Sequence, residues 1–446
     1  MKKTKEGAVE SNKLKVCIMK GGCNGHMDQF QRLKANFKDT YESTAYSNLA
    51  DVIIYFVCFF TTNQEKDFYY NMFLIEATKK PRATVILCGC GVGAIKPEVI
   101  AAYDCIDYVI RDLNFYEEIA KIMGIKTSKQ YYMEDFQGFV YIDVEEGCDK
   151  RRKKGKQCKF CNFCKQNYLK VRVKSKYTIE EVCEIVKIHK LPTVILGGLN
   201  TTNYGEDFGD GNPKLHLLIK AISEFTFVKW IAVRSVASSG MYPELEEELV
   251  NNPKIVSVNY FIQSGSNHML ELMNVGASVE DNSRIIKRLK EKHKAIKGGV
   301  IVGYPGETYR DVRQMIEFIT DHDLWDSTIF SYINSRGTPA HKEKQLLPKM
   351  YEAHCKAVFD AVYKLREKRL QEIAANGMEG WVESIEFEEE EGYHIRVIPF
   401  DFDGAWYVIQ EELQNVKFGD VVRVIDGQIL KLDDCSLIGG KIVEVL

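Results

Sequence analysis

A cysteine ends the run Val144-Glu145-Glu146-Gly147-Cys148, and two more follow in Cys161-Asn162-Phe163-Cys164. Three thiolates on one loop can hold three irons of a 4Fe-4S cube and leave the fourth open to a substrate or cofactor. Cys158 lies in the same loop, and four thiolates would instead close the site as a structural zinc or electron-transfer centre. The chemistry therefore turns on which three bind.

A second set of cysteines stands at the ends of short β-branched runs, in Gly22-Cys23-Asn24, Val57-Cys58-Phe59 and Gly89-Cys90-Gly91. The runs 14–19, 51–57, 83–87 and 106–110 read as strands, and helix-compatible stretches such as 67–79 lie between them. Residues 1–131 are thus expected to form a small parallel α/β domain. Ligands gather at the carboxyl ends of such strands, so three distant cysteines can meet at one edge. One strand-end cysteine alone is more often core packing. That is the reading for Cys17, Cys88, Cys105, Cys183, Cys355 and Cys435.

Residues 132–375 repeat strand and helix, with strands expected at 139–145, 193–196, 230–235, 257–263, 299–303 and 328–333 and helices such as 179–189 and 279–293. Six units imply a partial (β/α)6 barrel with its reactive centre at the strand carboxyl ends, where Cys148 falls. Leu196-Gly197-Gly198-Leu199-Asn200, Gln263-Ser264-Gly265-Ser266 and Gly303-Tyr304-Pro305-Gly306-Glu307-Thr308 follow three of these strands. Taken singly, glycine turns are weak signals and usually loop devices. A Lys-, Arg- and Glu-rich helix over 351–375 leads to Asn376-Gly377. Short alternating strands then suggest a five-stranded OB-like barrel over 376–446.

The 446 residues are 45% hydrophobic and 28% charged, enough to bury a core in two or three domains. Thirteen cysteines with no apolar N-terminal signal core read as reduced thiols and metal ligands, hence a cytoplasmic protein. The apolar stretch 52–60 is too short to cross a bilayer, so no membrane partner is expected. The net charge of −3 hides a local imbalance: residues 149–176 carry twelve Lys/Arg against one acid, and 377–446 carry sixteen Asp/Glu against five Lys/Arg.

These motifs, in this order, resemble the radical S-adenosylmethionine (SAM) methylthiotransferases. Glu146-Gly147-Cys148-Asp149 and Cys161-Asn162-Phe163-Cys164 look like the two halves of the family's SAM-cluster motif, with twelve residues between its first two cysteines where the family has three. Lys174-Ser175-Lys176 matches its basic-Ser-basic motif, and Gly22-Cys23, Ala50-Asp51-Val52-Ile53 with Cys58, and Gly89-Cys90 match its N-terminal cysteine contexts. The resemblance implies two 4Fe-4S clusters. Cys23, Cys58 and Cys90 would hold the auxiliary one, and Cys148, Cys161 and Cys164 the SAM cluster, with Cys158 as rival to Cys148. It also implies SAM contacts from Gly197, Gly198, Asn200, Gln263, Ser264 and Gly303, with Lys174 and Lys176 near SAM or a substrate carboxylate. A C-terminal TRAM domain and an electron donor such as flavodoxin or ferredoxin follow from the same likeness, whereas no catalytic acid or base is assigned.

In the family a 5′-deoxyadenosyl radical removes an unactivated hydrogen and the auxiliary cluster supplies the methylthio group. The RimO type modifies an aspartate of a small-subunit ribosomal protein, the MiaB type an adenosine of tRNA. The acidic run Glu386-Phe387-Glu388-Glu389-Glu390-Glu391 favours a basic polypeptide or ribosomal protein over an RNA backbone. The basic stretch beginning at Lys150 keeps tRNA as the alternative. A non-catalytic iron-sulfur or zinc RNA-binding protein would explain the cysteines and basic loop, but not the three glycine turns in radical-SAM order.

Overall fold

The computed structural model describes residues 13–21, 30, 33, 37, 40–58, 62–89, 91–92, 95–111, 115–126, 139–146, 148, 158–161, 174–335, 337–389, 392–400, 406–410, 415–417, 419–431, 436–438 and 440–446. Among the described residues no helix is long and apolar enough to cross a membrane.

Strands β1 (Lys15–Lys20), β2 (Glu42–Ser43), β3 (Val52–Phe56), β4 (Thr84–Cys88) and β5 (Tyr108–Val109) form a parallel sheet in the order β2-β1-β3-β4-β5. Every residue of central β3 is buried, because a parallel sheet is covered on both faces and reads as a continuous apolar run. Tyr55 packs with Phe68, Met72 and Ile75 on one face, and Ile54 and Phe56 with Phe115 and Ile119 on the other. The helix Thr62–Thr78 supplies the first of these layers. Strand β2 was not expected: its two residues are exposed and carry no alternation.

The second sheet contains β6 (Phe139–Glu146), β7 (Lys174–Ser175), β8 (Thr193–Gly198), β9 (Trp230–Ala237), β10 (Ile255–Gln263), β11 (Ala295–Val302) and β12 (Thr328–Ser331), in the order β12-β11-β10-β9-β8-β6-β7. All neighbours are parallel except β7, which runs antiparallel to β6 and brings Lys174 opposite Glu146. The helices between strands begin where their sequences cap them. Thr178 with Glu181 and Thr308 with Asp311 each form a capping box, opening the helices Ile179–His189 and Tyr309–Asp321.

The strands bulge near their carboxyl ends and, in β10, also at its start, between Ile255 and Ser257. Register shifts fall between Asp143 and Glu145 of β6, between Val258 and Tyr260 where β10 meets β9, and between Phe261 and Gln263 where it meets β11. Ser235 and Gln263 adopt φ of 57° and 67°. A non-glycine residue there costs about 1–2 kcal/mol and is held only when its surroundings demand it. Bulges of this kind re-aim side chains beside active sites.

The helix Pro348–Asn376 stops at Gly377, whose φ of 85° suits glycine. Then come β13 (Met378–Glu388), β14 (Gly392–Pro399), β15 (Trp406–Gln410), β16 (Val421–Ile425), β17 (Gln428–Lys431), β18 (Ser436–Ile438) and β19 (Lys441–Val445). The five expected strands are present, and the sheet gains the short pair β17 and β18 at one end of the order β17-β18-β15-β14-β13-β16-β19. These two are three or four residues long, too short for an alternation to register. Val382, Ile395, Val397, Val408 and Val422 form its core with Leu370 and Ile373 of the preceding helix. Trp381 and Phe400 pack on the barrel strands, with ring centroids 5.6 Å from Phe139 and 4.9 Å from Trp230. Phe139 and Trp230 begin β6 and β9, so the C-terminal sheet covers the amino ends of the barrel strands and leaves the carboxyl ends to the loops.

Gly265 shows how tightly the barrel packs. A Cβ there would lie 2.6 Å from the Phe318 Cβ and 2.9 Å from the Met315 Cα of the helix Tyr309–Asp321. Gly265→Ala is expected to lower stability by about 1–3 kcal/mol, read as a fall in the thermal midpoint. An unchanged midpoint would mean that this helix can move away.

Candidate metal centres

Cys148 lies two residues beyond β6, half-buried, and the Asn200 amide nitrogen donates to its sulfur at 3.7 Å. Asn200 is fixed in turn: its backbone N–H donates to Glu145 Oε1, and Thr202 Oγ1 donates to its Oδ1 at 2.6 Å. Segment 158–161 is anchored elsewhere on the same barrel. Lys159 N–H donates to the Met273 carbonyl at 3.0 Å, and its carbonyl accepts from Ala340 N–H at 3.1 Å. Phe160 joins the apolar cluster of Met269, Leu270, Tyr304 and Tyr332. Cys158 stands close enough to Tyr304 for its charge to disfavour the tyrosinate.

Cys164 and the insertion 149–157 lie outside the described residues, as do Cys23 and Cys90. Each expected trio therefore has a member beyond view. Among the described residues no three His, Cys, Asp or Glu side chains gather as metal ligands.

The two glycines that end β8 make room for side chains of β6. A Cβ on Gly197 would meet the Tyr141 hydroxyl at 2.2 Å, and one on Gly198 would meet Glu145 Oε1 at 2.6 Å. The glycines admit Tyr141 and Glu145, so the Glu145 carboxylate can cross beneath the loop and hold Asn200. Glu145 is 1% exposed, and neither it nor Ser238 was singled out from sequence. Ser238 follows β9, and its buried hydroxyl has no hydrogen-bond partner among the described residues. Its turn packs against the β8 exit, since a Cβ on Gly240 would meet Thr202 Oγ1 at 2.2 Å. A buried carboxylate at the end of β6 and a buried hydroxyl without a partner among the described residues after β9, on either side of β8, suit a cofactor that carries an ammonium group and ribose hydroxyls, and the Cys148 thiol beside them suits iron. The residues present fit SAM and a cluster.

Lys176 reaches Asp143 at 3.8 Å in a nearly buried pair. Lys174 is placed only by its backbone on β7. Between them Ser175 binds the β8 exit: its hydroxyl donates to Asp207 Oδ1 at 2.7 Å and accepts from Gly205 N–H at 2.8 Å. Ser264 accepts from Ser266 N–H at 3.2 Å, and Ser266 Oγ donates to Asp311 at 2.6 Å. The β10 turn is thereby tied to the helix Tyr309–Asp321.

Gly303 has φ of 81°, and the space a Cβ would take is filled by the Tyr351 ring at 2.5 Å. Its N–H donates to Glu307 Oε2 at 2.9 Å, and that oxygen also lies 2.9 Å from His354 Nδ1. Burial pushes the Glu307 carboxyl from 4.5 up to about 7, and burial lowers His354, which is fully buried. For a carboxyl raised in the fold, the penalty is absent below the unfolded value and complete above about 7. Between pH 4.5 and 8 the stability of Glu307→Gln relative to the parent is expected to improve by up to about 3 kcal/mol. Thermal melts across that range check it, and a constant offset contradicts it.

In the first sheet Cys58 lies two residues beyond the carboxyl end of β3, 3% exposed, with its thiol donating to Gln64 Oε1 at 3.5 Å. The chain beside the other two cysteines converges there. Gly21 N–H donates to the Phe56 carbonyl at 2.8 Å, and a Gly21 Cβ would lie 3.5 Å from the Cys58 Cβ. Gly91 N–H donates to the Val57 carbonyl at 2.8 Å, and a Gly89 Cβ would meet the same carbonyl at 2.9 Å. Cys88 is a packing residue: it is fully buried, its thiol is pushed well up by desolvation, and it donates to the Tyr55 carbonyl at 3.7 Å. Burial likewise raises Cys17, Cys105, Cys183 and Cys355. Cys435 lies outside the described residues.

Known proteins share both halves of this arrangement. Residues 145–319 match the Radical SAM superfamily, and residues 15–111 match Uncharacterized protein family UPF0004. The ribosomal protein uS12 methylthiotransferase RimO of Acetivibrio thermocellus is 27% identical over 97% of this chain and 99% of its own length. The protein of that name from Trichodesmium erythraeum is 26% identical over 89% and 92%. The radical SAM methyltransferase TsrM from Kitasatospora setae, solved with cobalamin and a [4Fe-4S] cluster, has a TM-score of 0.52 at 12% identity over 74% of this chain and 77% of its own, a likeness of fold. A cysteine at the first barrel-strand exit, a strand-end cysteine in a preceding parallel sheet and full-length likeness of this kind have one common explanation: the chain belongs to the radical SAM methylthiotransferase family.

Proposed function

We propose that the substrate is a polypeptide and that the methylthio group goes onto an aspartate side-chain carbon of a ribosomal protein of the uS12 kind. The observation that carries this reading is the likeness to the uS12 methylthiotransferases over 97% of the chain. The C-terminal sheet supports it. Its β13–β14 hairpin exposes Glu386, Glu389 and the Phe387 ring, and residues 377–446 carry sixteen acids against five bases. That field attracts a basic protein and repels a phosphate backbone within roughly 8 Å at physiological salt.

In this reading residues 1–131 are the auxiliary-cluster domain with Cys23, Cys58 and Cys90, residues 132–375 the SAM domain with Cys148, Cys161 and Cys164, and residues 376–446 a TRAM domain. Bound SAM and its cluster supply hydrogen abstraction, and the auxiliary cluster the sulfur. The chain's own residues orient and exclude solvent. Glu145 and Ser238 would hold the amino and hydroxyl groups of SAM, Asn200 steadies Cys148, and Lys176 is held on Asp143. The electron donor is of the flavodoxin or ferredoxin class, and the compartment is the cytoplasm.

The basic stretch 149–176 favours a second reading, transfer to a tRNA adenosine. Reconstituted enzyme offered total tRNA and ribosomal proteins together, with mass spectrometry of both fractions, separates them. A methylthio increment is expected on protein, and one confined to a tRNA nucleoside overturns the choice.

A further inference from the structure

Strand register builds a charged layer across the barrel interior. Asp143 pairs with Gly197, Leu196 with Val233, Val233 with Val258, and Asn259 with Lys297. Asp143, Gly197, Arg234, Asn259 and Lys297 therefore lie at one level. The outer charges are matched, Asp143 by Lys176 at 3.8 Å and Lys297 by Asp326 at 3.5 Å. The middle one is different. The Arg234 guanidinium lies 5.8 Å from the Tyr141 ring centroid and has no carboxylate partner among the described residues.

Arg234, Ser257, Asn259 and Lys297 line a cavity of about 170 Å³ whose far wall is the C-terminal sheet. On that wall Arg396 is already paired with Glu383. The position of Arg234 is fixed by the backbone. It precedes Ser235, with its φ of 57°, at the β9 bulge, and its carbonyl accepts from Thr201 Oγ1 at 2.7 Å in the same turn that carries Asn200. Arg234 lies three residues, roughly 10 Å, short of the carboxyl end of β9.

Resting on the polypeptide reading above, we propose that Arg234, with Asn259 and Ser257 beside it, is the subsite that receives the carboxylate of the substrate's acidic side chain. A guanidinium offers the planar fork that grips a carboxylate bidentately, and a half-buried cation with no anion of its own among the described residues is arranged for one that arrives. The cavity has room for one short acidic side chain, below the usual range for a nucleotide-sized ligand. Holding the carboxylate there would turn the adjacent carbon toward the strand ends.

The test is a double-mutant cycle on the reconstituted holoenzyme. Arg234→Met and Arg234→Lys are each paired with two probes: the uS12-type ribosomal protein and the same protein with its modified Asp replaced by Asn. Equilibrium binding of each probe, SAM affinity and SAM cleavage are measured. The Asp→Asn probe is expected to bind the parent about 10- to 100-fold more weakly, to lose nothing further on Arg234→Met, and to fall between on Arg234→Lys. SAM affinity stays unchanged in all three. An equal Asp→Asn penalty on the parent and on Arg234→Met overturns the subsite and leaves the polypeptide reading intact, as does a loss of SAM affinity instead of probe affinity. Modification of tRNA alone removes both. If Arg234→Met fails to fold, Arg234→Lys decides by the same comparison.

Discussion

Alanine at Cys148, Cys161 or Cys164 is expected to abolish SAM cleavage, and alanine at Cys158 to leave it. The loop holds four thiols, and an open iron requires that one be omitted. Cys148 sits at the β6 exit against the Asn200 amide, next to the turn that buries Glu145. Cys158 is placed beside Tyr304, where Lys159 and Phe160 already pin the chain to the barrel wall. The check is 5′-deoxyadenosine production after anaerobic reconstitution of each variant. Loss in Cys158→Ala together with retention in Cys148→Ala would falsify the assignment and exchange the two roles.

The second large effect separates the two clusters. In the triple variant Cys23→Ala, Cys58→Ala, Cys90→Ala, iron should fall from about eight to about four per chain. SAM cleavage should survive, and no methylthio product should form. The physical ground is the edge at which Gly21, Cys58, Gly89 and Gly91 meet within hydrogen-bonding and van der Waals distance. Iron content equal to the parent's would mean that these thiols are only buried.

How much of this was legible depends on the length scale of the signal. The six barrel strands and the helix Ile179–His189 stood out because short apolar runs alternating with helix-compatible stretches are local signals. Strands β2 and β7, two residues each, carry no period to read. The strand-end positions of Cys148 and Cys58 were legible from the apolar runs before them. The glycines were legible but their neighbours were not: what fills the space beside Gly198 is Glu145, fifty-three residues earlier in the chain. Ser238, Arg234 and the Glu307–His354 contact were missed for the same reason, since register and tertiary packing, not spacing along the chain, bring their partners together.

The most direct test of the central claim follows a hydrogen atom. The uS12-type ribosomal protein, carrying deuterium on its aspartate β-carbons, is incubated with the reconstituted enzyme, SAM and a reductant, and the 5′-deoxyadenosine formed is analysed by mass spectrometry. The account predicts deuterium in the 5′-deoxyadenosine, matched by methylthiolated protein. Unlabelled 5′-deoxyadenosine with no increment on the protein would contradict it.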